Sequence, residues 1–266
     1  MNSFQNKVIW ITGASSGIGE ALAYAFSAEG ARLILSSRRV EELERVKKTC
    51  LHSEQVKILP LDLLDASLLE ARTAQAIAAF GQIDIMVHNG GISQRSLVIE
   101  TDMAVHRQLM ELDYFSYVAL TRYLLPHFAA RQSGHFVVVS SVMGKLGTPM
   151  RSAYAAAKHA LHGFFDCLRA EVSALHIKVT LLTPGYIRTN ISANVLTKDG
   201  TKLGSSSQNI EKGLAPDRAA RQILKVISNE KYESYIGKFG MEKIALWLNR
   251  LFPAFVIRQA SKFAPK

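Results

Sequence analysis

VIWITGASSGIGEALAYAF, residues 8–26, decides the fold. The stretch opens on an apolar, β-branched run, passes through a glycine-rich turn and continues with apolar residues at helical spacing. A strand that is apolar along its whole length is one buried on both faces of a parallel sheet. Gly13, Gly17 and Gly19 fall where the backbone must turn sharply and approach a ligand closely. The amino end of the helix opened by Gly17, Ile18 and Gly19 then faces that ligand. Its unpaired N–H groups and positive dipole end suit a pyrophosphate, with the Ser15 and Ser16 hydroxyls as further donors. A kinase-type phosphate loop is excluded, because Glu20 and not lysine follows Gly19.

The same alternation continues along the chain. Strand-like runs start at Val8, Arg32, Val56 (VKILPL), Ile83 (IDIMVH), His135 (HFVVVS) and Ile177 (IKVTLLTP), with a seventh near residues 233–237. Helical spacing occupies residues 17–28, 40–52, 66–79, 103–130, 153–174 and 216–228. The expectation is an α/β, single-domain, Rossmann-type doubly wound parallel sheet of about seven strands with helices on both faces. It spans residues 1–240. Residues 186–215, rich in Ser, Thr, Asn, Lys and Gly, read as a substrate-covering loop beyond the carboxyl ends of the strands. Residues 241–266 read as a basic amphipathic helical tail that Pro253 kinks or divides.

A chain of 266 residues with 48% hydrophobic residues and 7 prolines buries one substantial core. Cys50 and Cys167 fall in helical segments at unrelated positions, offering neither a disulfide framework nor metal-ligand spacing. No metal is expected. With no signal-peptide pattern at the amino end and no apolar run of membrane-span length, the expected location is cytoplasmic. The formal charge of +10 invites a nucleic-acid reading, but half of that excess lies in residues 237–266, where six basic side chains face the single acid Glu242. No nucleic-acid partner is expected. The tail's Ile244, Trp247, Leu251, Phe252 and Phe255 interleave with Lys243, Arg250 and Arg258, a pattern that packs on the domain or a sister subunit, or lies peripherally in a membrane interface.

The second strand ends in Ser36-Ser37-Arg38-Arg39, where a site selective for NAD presents an acid to the ribose 2′-hydroxyl. A guanidinium beside a small hydroxyl suits the 2′-phosphate dianion instead, so the expected cofactor is NADP(H), read by Ser37, Arg38 and Arg39. Tyr154-Ala-Ala-Ala-Lys158 puts a phenol and an ammonium on one helical face, separated by alanines small enough for a nicotinamide to pass. The cation favours the phenolate and readies Tyr154 for proton exchange. The fifth strand delivers Ser140 and Ser141 to the sheet edge, where a hydroxyl stabilises the oxyanion that hydride addition creates.

These motifs together resemble the short-chain dehydrogenase/reductase family over about residues 5–237, and within it the dehydrogenase/reductase member 7 branch, 7B-like. The matches are TGASSGIG at 12–19, Asp62 after the third strand, Asn89-Gly90-Gly91 after the fourth, Ser141, Tyr154-x-x-x-Lys158 and PGYIRT at 184–189. The resemblance implies that Tyr154 is the general acid/base, that Lys158 tunes it and holds the nicotinamide ribose, and that Ser141 rather than Ser140 orients the carbonyl. It further implies that Asp62 and Leu63 meet the adenine, and that Asn89 and Gly90 lie along the cofactor. Pro184, Gly185, Ile187 and Thr189 would hold the carboxamide, and Tyr186 would face the substrate. A lipophilic carbonyl or alcohol of steroid, retinoid or acyl type and a homodimer or homotetramer follow from the same resemblance.

The sequence departs from the family twice. His88-Asn89-Gly90-Gly91 stands for the usual Asn-Asn-Ala-Gly, and Asp113 stands where an asparagine usually positions a proton-relay water. A carboxylate there opposes the effect of Lys158 on Tyr154. The competing expectations are an NADP(H)-binding regulator or sensor with weak or no catalysis, and a basic polyanion-binding protein.

Overall fold

The computed structural model describes residues 3–189, 194–204 and 208–264. Among these, seven strands form one parallel sheet in the order β3-β2-β1-β4-β5-β6-β7. They are β1 (Val8–Thr12), β2 (Arg32–Ser36), β3 (Val56–Ile58), β4 (Ile85–His88), β5 (Gly134–Val139), β6 (Ile177–Pro184) and β7 (Glu233–Ile236). The strand order reverses between β1 and β4, so the crevice of a doubly wound sheet opens beyond Thr12 and His88.

Alternate residues of each strand enter alternate cores, as the period of two requires. Ile9, Ile11, Leu33, Leu35, Val87, Val137 and Leu182 pack on one face against α1 (Gly17–Ala28), α2 (Val40–Thr49) and α8 (Pro216–Ser228). Trp10, Ile34, Met86, Phe136, Val138 and Leu181 pack on the other, against α3 (Leu69–Phe80), α5 (Ser116–Arg131) and α6 (Ser152–Glu171). Both faces are therefore dry, which is why the strands read as unbroken apolar runs.

Three expected boundaries shift. The third strand is only Val56–Ile58: Leu59 and Leu61 still donate to Leu35 and Ser37 of the β2 side, but Pro60 between them has no N–H. The helix expected over 103–130 is broken into α4 (Met103–Met110), a π-turn at Glu111–Phe115, and α5. One extra residue in that turn rotates everything after it, and Asp113 sits at its centre. Cys50 lies just past α2 rather than inside it, and both cysteines are free.

Residues 190–193 and 205–207 of the expected substrate loop lie outside the described residues. The part between, 194–204, lies on the segment after β4: Leu196 N–H donates to Ser93 O, Arg95 N–H to Leu196 O, and Asp102 N–H to Lys198 O. A short helix α7 (Gln208–Glu211) precedes α8. Pro253 divides the tail into α9 (Met241–Leu251) and α10 (Pro253–Ala260), taking the first position of α10 where its missing N–H costs nothing. Neither tail helix has a buried residue. Among the described residues, no helix is long and apolar enough to cross a membrane.

Candidate active site

The carboxyl ends of β1, β4, β5 and β6 meet along one edge of the sheet. After β1 the chain turns through Gly13 and Gly17, both at φ +64°. A side chain at Gly13 would strike Gly90 Cα at 2.6 Å, and one at Gly19 would strike the Gly13 carbonyl at 2.4 Å. Thr12, the first residue of the TGASSGIG motif, locks this turn to β4. Its hydroxyl accepts from Asn89 N–H (3.0 Å) and Gly90 N–H (3.2 Å) and donates to Val87 O. The Asn89 amide spends its own protons on the carbonyls of Thr12 (3.0 Å) and Gly13 (3.2 Å). Asn89 thus braces the glycine turn from below. Leu63 closes against Gly90, while exposed Asp62 accepts the Leu64 N–H in a short turn.

At the end of β2, Ser36 is buried and accepts the Trp10 indole N–H at 2.9 Å, which removes it from any ligand. Ser37, Arg38 and Arg39 follow it at the surface. The Ser37 hydroxyl caps the turn by accepting Arg39 N–H. The Arg39 guanidinium reaches over the glycine turn to Ser15 Oγ (3.0 Å) and Ser16 Oγ (3.1 Å), whereas Arg38 is exposed and makes no hydrogen bond or ion pair among the described residues. Of the two arginines, Arg39 is the one in contact with the turn.

Beyond β5 the two serines part company. Ser140 is buried, donates to Lys158 O (3.3 Å) and pairs with His162 Nε2 (3.0 Å). The Ser141 oxygen accepts Met143 N–H at 3.1 Å, starting a helical turn, and among the described residues its hydroxyl has no acceptor. Tyr154 and Lys158 occupy successive turns of α6, with Lys158 Nζ 5.8 Å from the Tyr154 ring centre.

Lys158 is almost wholly buried. Its ammonium lies 3.2 Å from Asp113 Oδ2, donates to Val139 O at 3.3 Å and sits 5.3 Å from the centre of the Tyr117 ring. Asp113 is fully buried, its Oδ1 accepting Ile92 N–H at 2.8 Å. Oδ2 accepts no aligned hydrogen bond, so its contact with Lys158 is an ion pair. Burial drives the Asp113 carboxyl upward against the pull of Lys158. Burial is the largest influence on Lys158 and acts to lower it, but Asp113 together with the Tyr117 and Tyr154 phenols outweighs it and holds the ammonium above the ordinary lysine value. Beneath them Tyr117 donates its phenol proton to Gly90 O at 2.9 Å and stacks on His88, ring centres 4.9 Å apart. Burial pushes His88 down to about 3, so it is a neutral packing residue bonded to Thr121.

On the far side of the edge, Ile187 is buried and pairs with Leu214, and Thr189 lies over Gly17. Tyr186 is half-exposed, and its N–H donates to Glu242 of the tail at 3.0 Å. Glu242 also receives the Tyr235 hydroxyl at 2.8 Å, and Asn249 donates to Lys145 O, so the tail begins beside this mouth.

The glycine turn, the strand edge and the Ser141, Tyr154 and Lys158 side chains lie within the stretch, residues 7–200, that matches the short chain dehydrogenase family model. The chain belongs to the short-chain dehydrogenase/reductase family. It is 42% identical over its whole length to a dehydrogenase/reductase SDR family protein 7-like of Drosophila melanogaster, of which it covers 82%. It is 43% identical to the human dehydrogenase/reductase SDR family member 7 over 88% of this chain and 70% of that one. Among solved structures, a short-chain dehydrogenase from Streptomyces avermitilis superposes with TM-score 0.83 and 30% identity, covering 98% of each chain. A Burkholderia phymatum short-chain dehydrogenase/reductase, in complex with NAD, reaches TM-score 0.83 at 20% identity and shares the fold, over 96% of each chain. This family member is thus an oxidoreductase on a Rossmann nucleotide-binding fold.

Proposed function

We propose that the chain is an NADP(H)-dependent oxidoreductase that moves a hydride between nicotinamide and a carbonyl or secondary alcohol, at Ser141, Tyr154 and Lys158. The observation that carries this reading is the division of labour at the end of β5. Ser140 is consumed by the fold, whereas Ser141 presents a free hydroxyl proton on the same sheet edge as the Tyr154–Lys158 helix face.

The donor set at the end of β2 fits the cofactor. An NAD site needs an acceptor for the ribose 2′-hydroxyl, but Ser37, Arg38 and Arg39 offer a hydroxyl and two guanidinium groups and no carboxylate. That set matches a 2′-phosphate, and Ser15, Ser16 and the N–H groups of Gly17, Ile18 and Gly19 suit the pyrophosphate. Asp62 and Leu63 would border the adenine. Gly90, with Asn89 behind it, would form the floor, and Pro184, Gly185, Ile187 and Thr189 would hold the carboxamide end. A bound reduced nicotinamide supplies the hydride.

The chain's own residues then handle the oxygen. Ser141 Oγ donates to the carbonyl oxygen and stabilises the charge that grows there as the C=O electron pair moves onto oxygen. Tyr154 gives its phenol proton to that oxygen, completing the alcohol, and runs the same transfer backwards in oxidation. Lys158 offers its remaining N–H to the ribose hydroxyls, while Asp113 and Val139 O fix its position. Tyr186 and the segment 194–204 border the substrate. The substrate is proposed to have a lipophilic body, and the assembly to be a homodimer or homotetramer. The domain is taken as residues 1–240. The tail, residues 241–266, with its apolar side chains uncovered beside Lys243, Arg250 and Arg258, is proposed as a peripheral membrane contact.

Turnover of lipophilic ketones and aldehydes with NADPH, followed at the nicotinamide absorbance, tests the reading. Tyr154→Phe should lower kcat by about 100-fold or more with NADPH affinity kept. Tight NADPH binding with no turnover, or turnover untouched by Tyr154→Phe, would favour a cofactor-binding regulator, the reading to which the Asp113–Lys158 pair lends weight.

A further inference from the structure

Arg151 is the residue immediately before α6, three residues ahead of Tyr154. Its guanidinium is anchored by one nitrogen: Nη1 donates to Ser93 Oγ at 2.7 Å and to Gln94 O at 3.0 Å. Nε and Nη2 have no partner among the described residues, so one edge of the donor fork is free. No carboxylate pairs with it there either. Burial works against its charge, the Tyr154 phenol supports it, and a second cation, Arg95, opposes it further; Tyr186 is the other phenol within electrostatic reach. Beside it the fully buried Gln94 side chain leaves Oε1 without a partner.

Holding a partly buried cation without a counter-charge is costly, and the anchoring bonds to Ser93 and Gln94 need only a neutral donor. The surroundings of Arg151 border the proposed site: Tyr154 packs against the cluster that holds Leu196, and Leu196 pairs with Ser93 and Arg95 on either side of Gln94, so Arg151, Tyr154 and the segment 194–204 meet at one place. We propose that Arg151 is a substrate-binding residue that receives an anionic group, so that the preferred carbonyl compound carries a carboxylate or phosphate on its lipophilic body. The free edge of the guanidinium matches the two oxygens of either group. The inference rests on the reading that Tyr154 and Ser141 hold the carbonyl oxygen, and it narrows the substrate class of that site.

Three matched probes test it: para-carboxybenzaldehyde, its methyl ester, and para-formylphenyl phosphate. Each is assayed with NADPH on the wild type and on Arg151→Gln, which keeps donors for Ser93 and Gln94 but removes the charge. The wild type should favour at least one anionic probe over the ester by about tenfold or more in kcat/KM, mostly through KM. The favoured probe identifies the anion. Arg151→Gln should erase that preference, raising KM for the favoured anionic probe far more than for the ester. Turnover of ester and acids at equal kcat/KM, or a preference that survives in Arg151→Gln, overturns the proposal and leaves the reductase reading standing. Calorimetric binding of the same probes to the NADPH-loaded protein separates the two ideas. An Arg151-dependent anion preference in binding without any turnover supports Arg151 and removes the hydride-transfer reading. Equal binding of acid and ester overturns the proposal whether or not turnover occurs.

Discussion

Asp113→Ala should destabilise the protein severely, by an amount that the local geometry fixes. The substitution removes the counter-charge 3.2 Å from a buried ammonium and the acceptor 2.8 Å from Ile92 N–H. Asp113 is fully buried and Lys158 almost so, and water has no access to repair either loss. Breaking a buried pair by deleting one member costs about 3–5 kcal/mol, and the stranded N–H falls within that range rather than adding to it. Asp113→Asn strands the same ammonium but keeps an acceptor for Ile92 N–H, so it should lie at the low end of that range, about 3 kcal/mol, with the alanine variant above it. Urea unfolding, with the slope unchanged, reads both values as shifts of the midpoint. The double variant Asp113→Leu, Lys158→Met should lose much less than the sum of its single losses, because neither charge is then left alone. Asp113→Ala within about 1 kcal/mol of wild type would refute the reasoning, as would an asparagine variant as unstable as the alanine one.

Two further expectations concern other parts of the molecule. Burial depresses His88 to about 3 and His135 and His162 to about 4, so the unfolded chain takes up protons below about pH 6.5 that the folded chain refuses. Stability is then fully present above about pH 6.5 and drains away toward pH 4, by about 1.4 kcal/mol per pH unit for each histidine at full effect. The slope of unfolding free energy against pH should fall by roughly that amount in His135→Gln, and an unchanged slope would sink the assignment. For the tail, sedimentation with phosphatidylserine-containing vesicles should carry the protein down, but not with Trp247→Glu and Phe255→Glu together. Equal recovery with purely zwitterionic vesicles would deny the charge component.

What the sequence made legible followed from burial and backbone chemistry. β6 and α8 have the expected bounds because an unbroken apolar run and a proline at a helix start leave little choice. The glycine turn was legible because Gly13 and Gly17 take a backbone conformation that other residues avoid. The π-turn at Glu111–Phe115 was not, since a one-residue insertion leaves the apolar spacing of the long helix nearly intact. Neither was the contact of Arg39 rather than Arg38 with the glycine turn, because neighbours leaving a strand point opposite ways and composition does not say which reaches the turn. The contacts of Thr12, Tyr117 and Arg151 escaped for a common reason. Their partners Asn89, Gly90 and Ser93 lie between 27 and 77 residues away, beyond any local pattern.

On the proposed function, the edge between Gly13 and Thr189 holds NADP(H) through a cationic donor set. A fluorescence titration of the purified protein with NADPH and NADH, repeated on Arg38→Ala and Arg39→Ala, tests it most directly. NADPH should bind more tightly than NADH by about tenfold or more, and the advantage should collapse in at least one arginine variant while NADH binding stays as it was. Equal affinity for both nucleotides would contradict the role given to the arginines, and binding of neither would contradict the cofactor site itself.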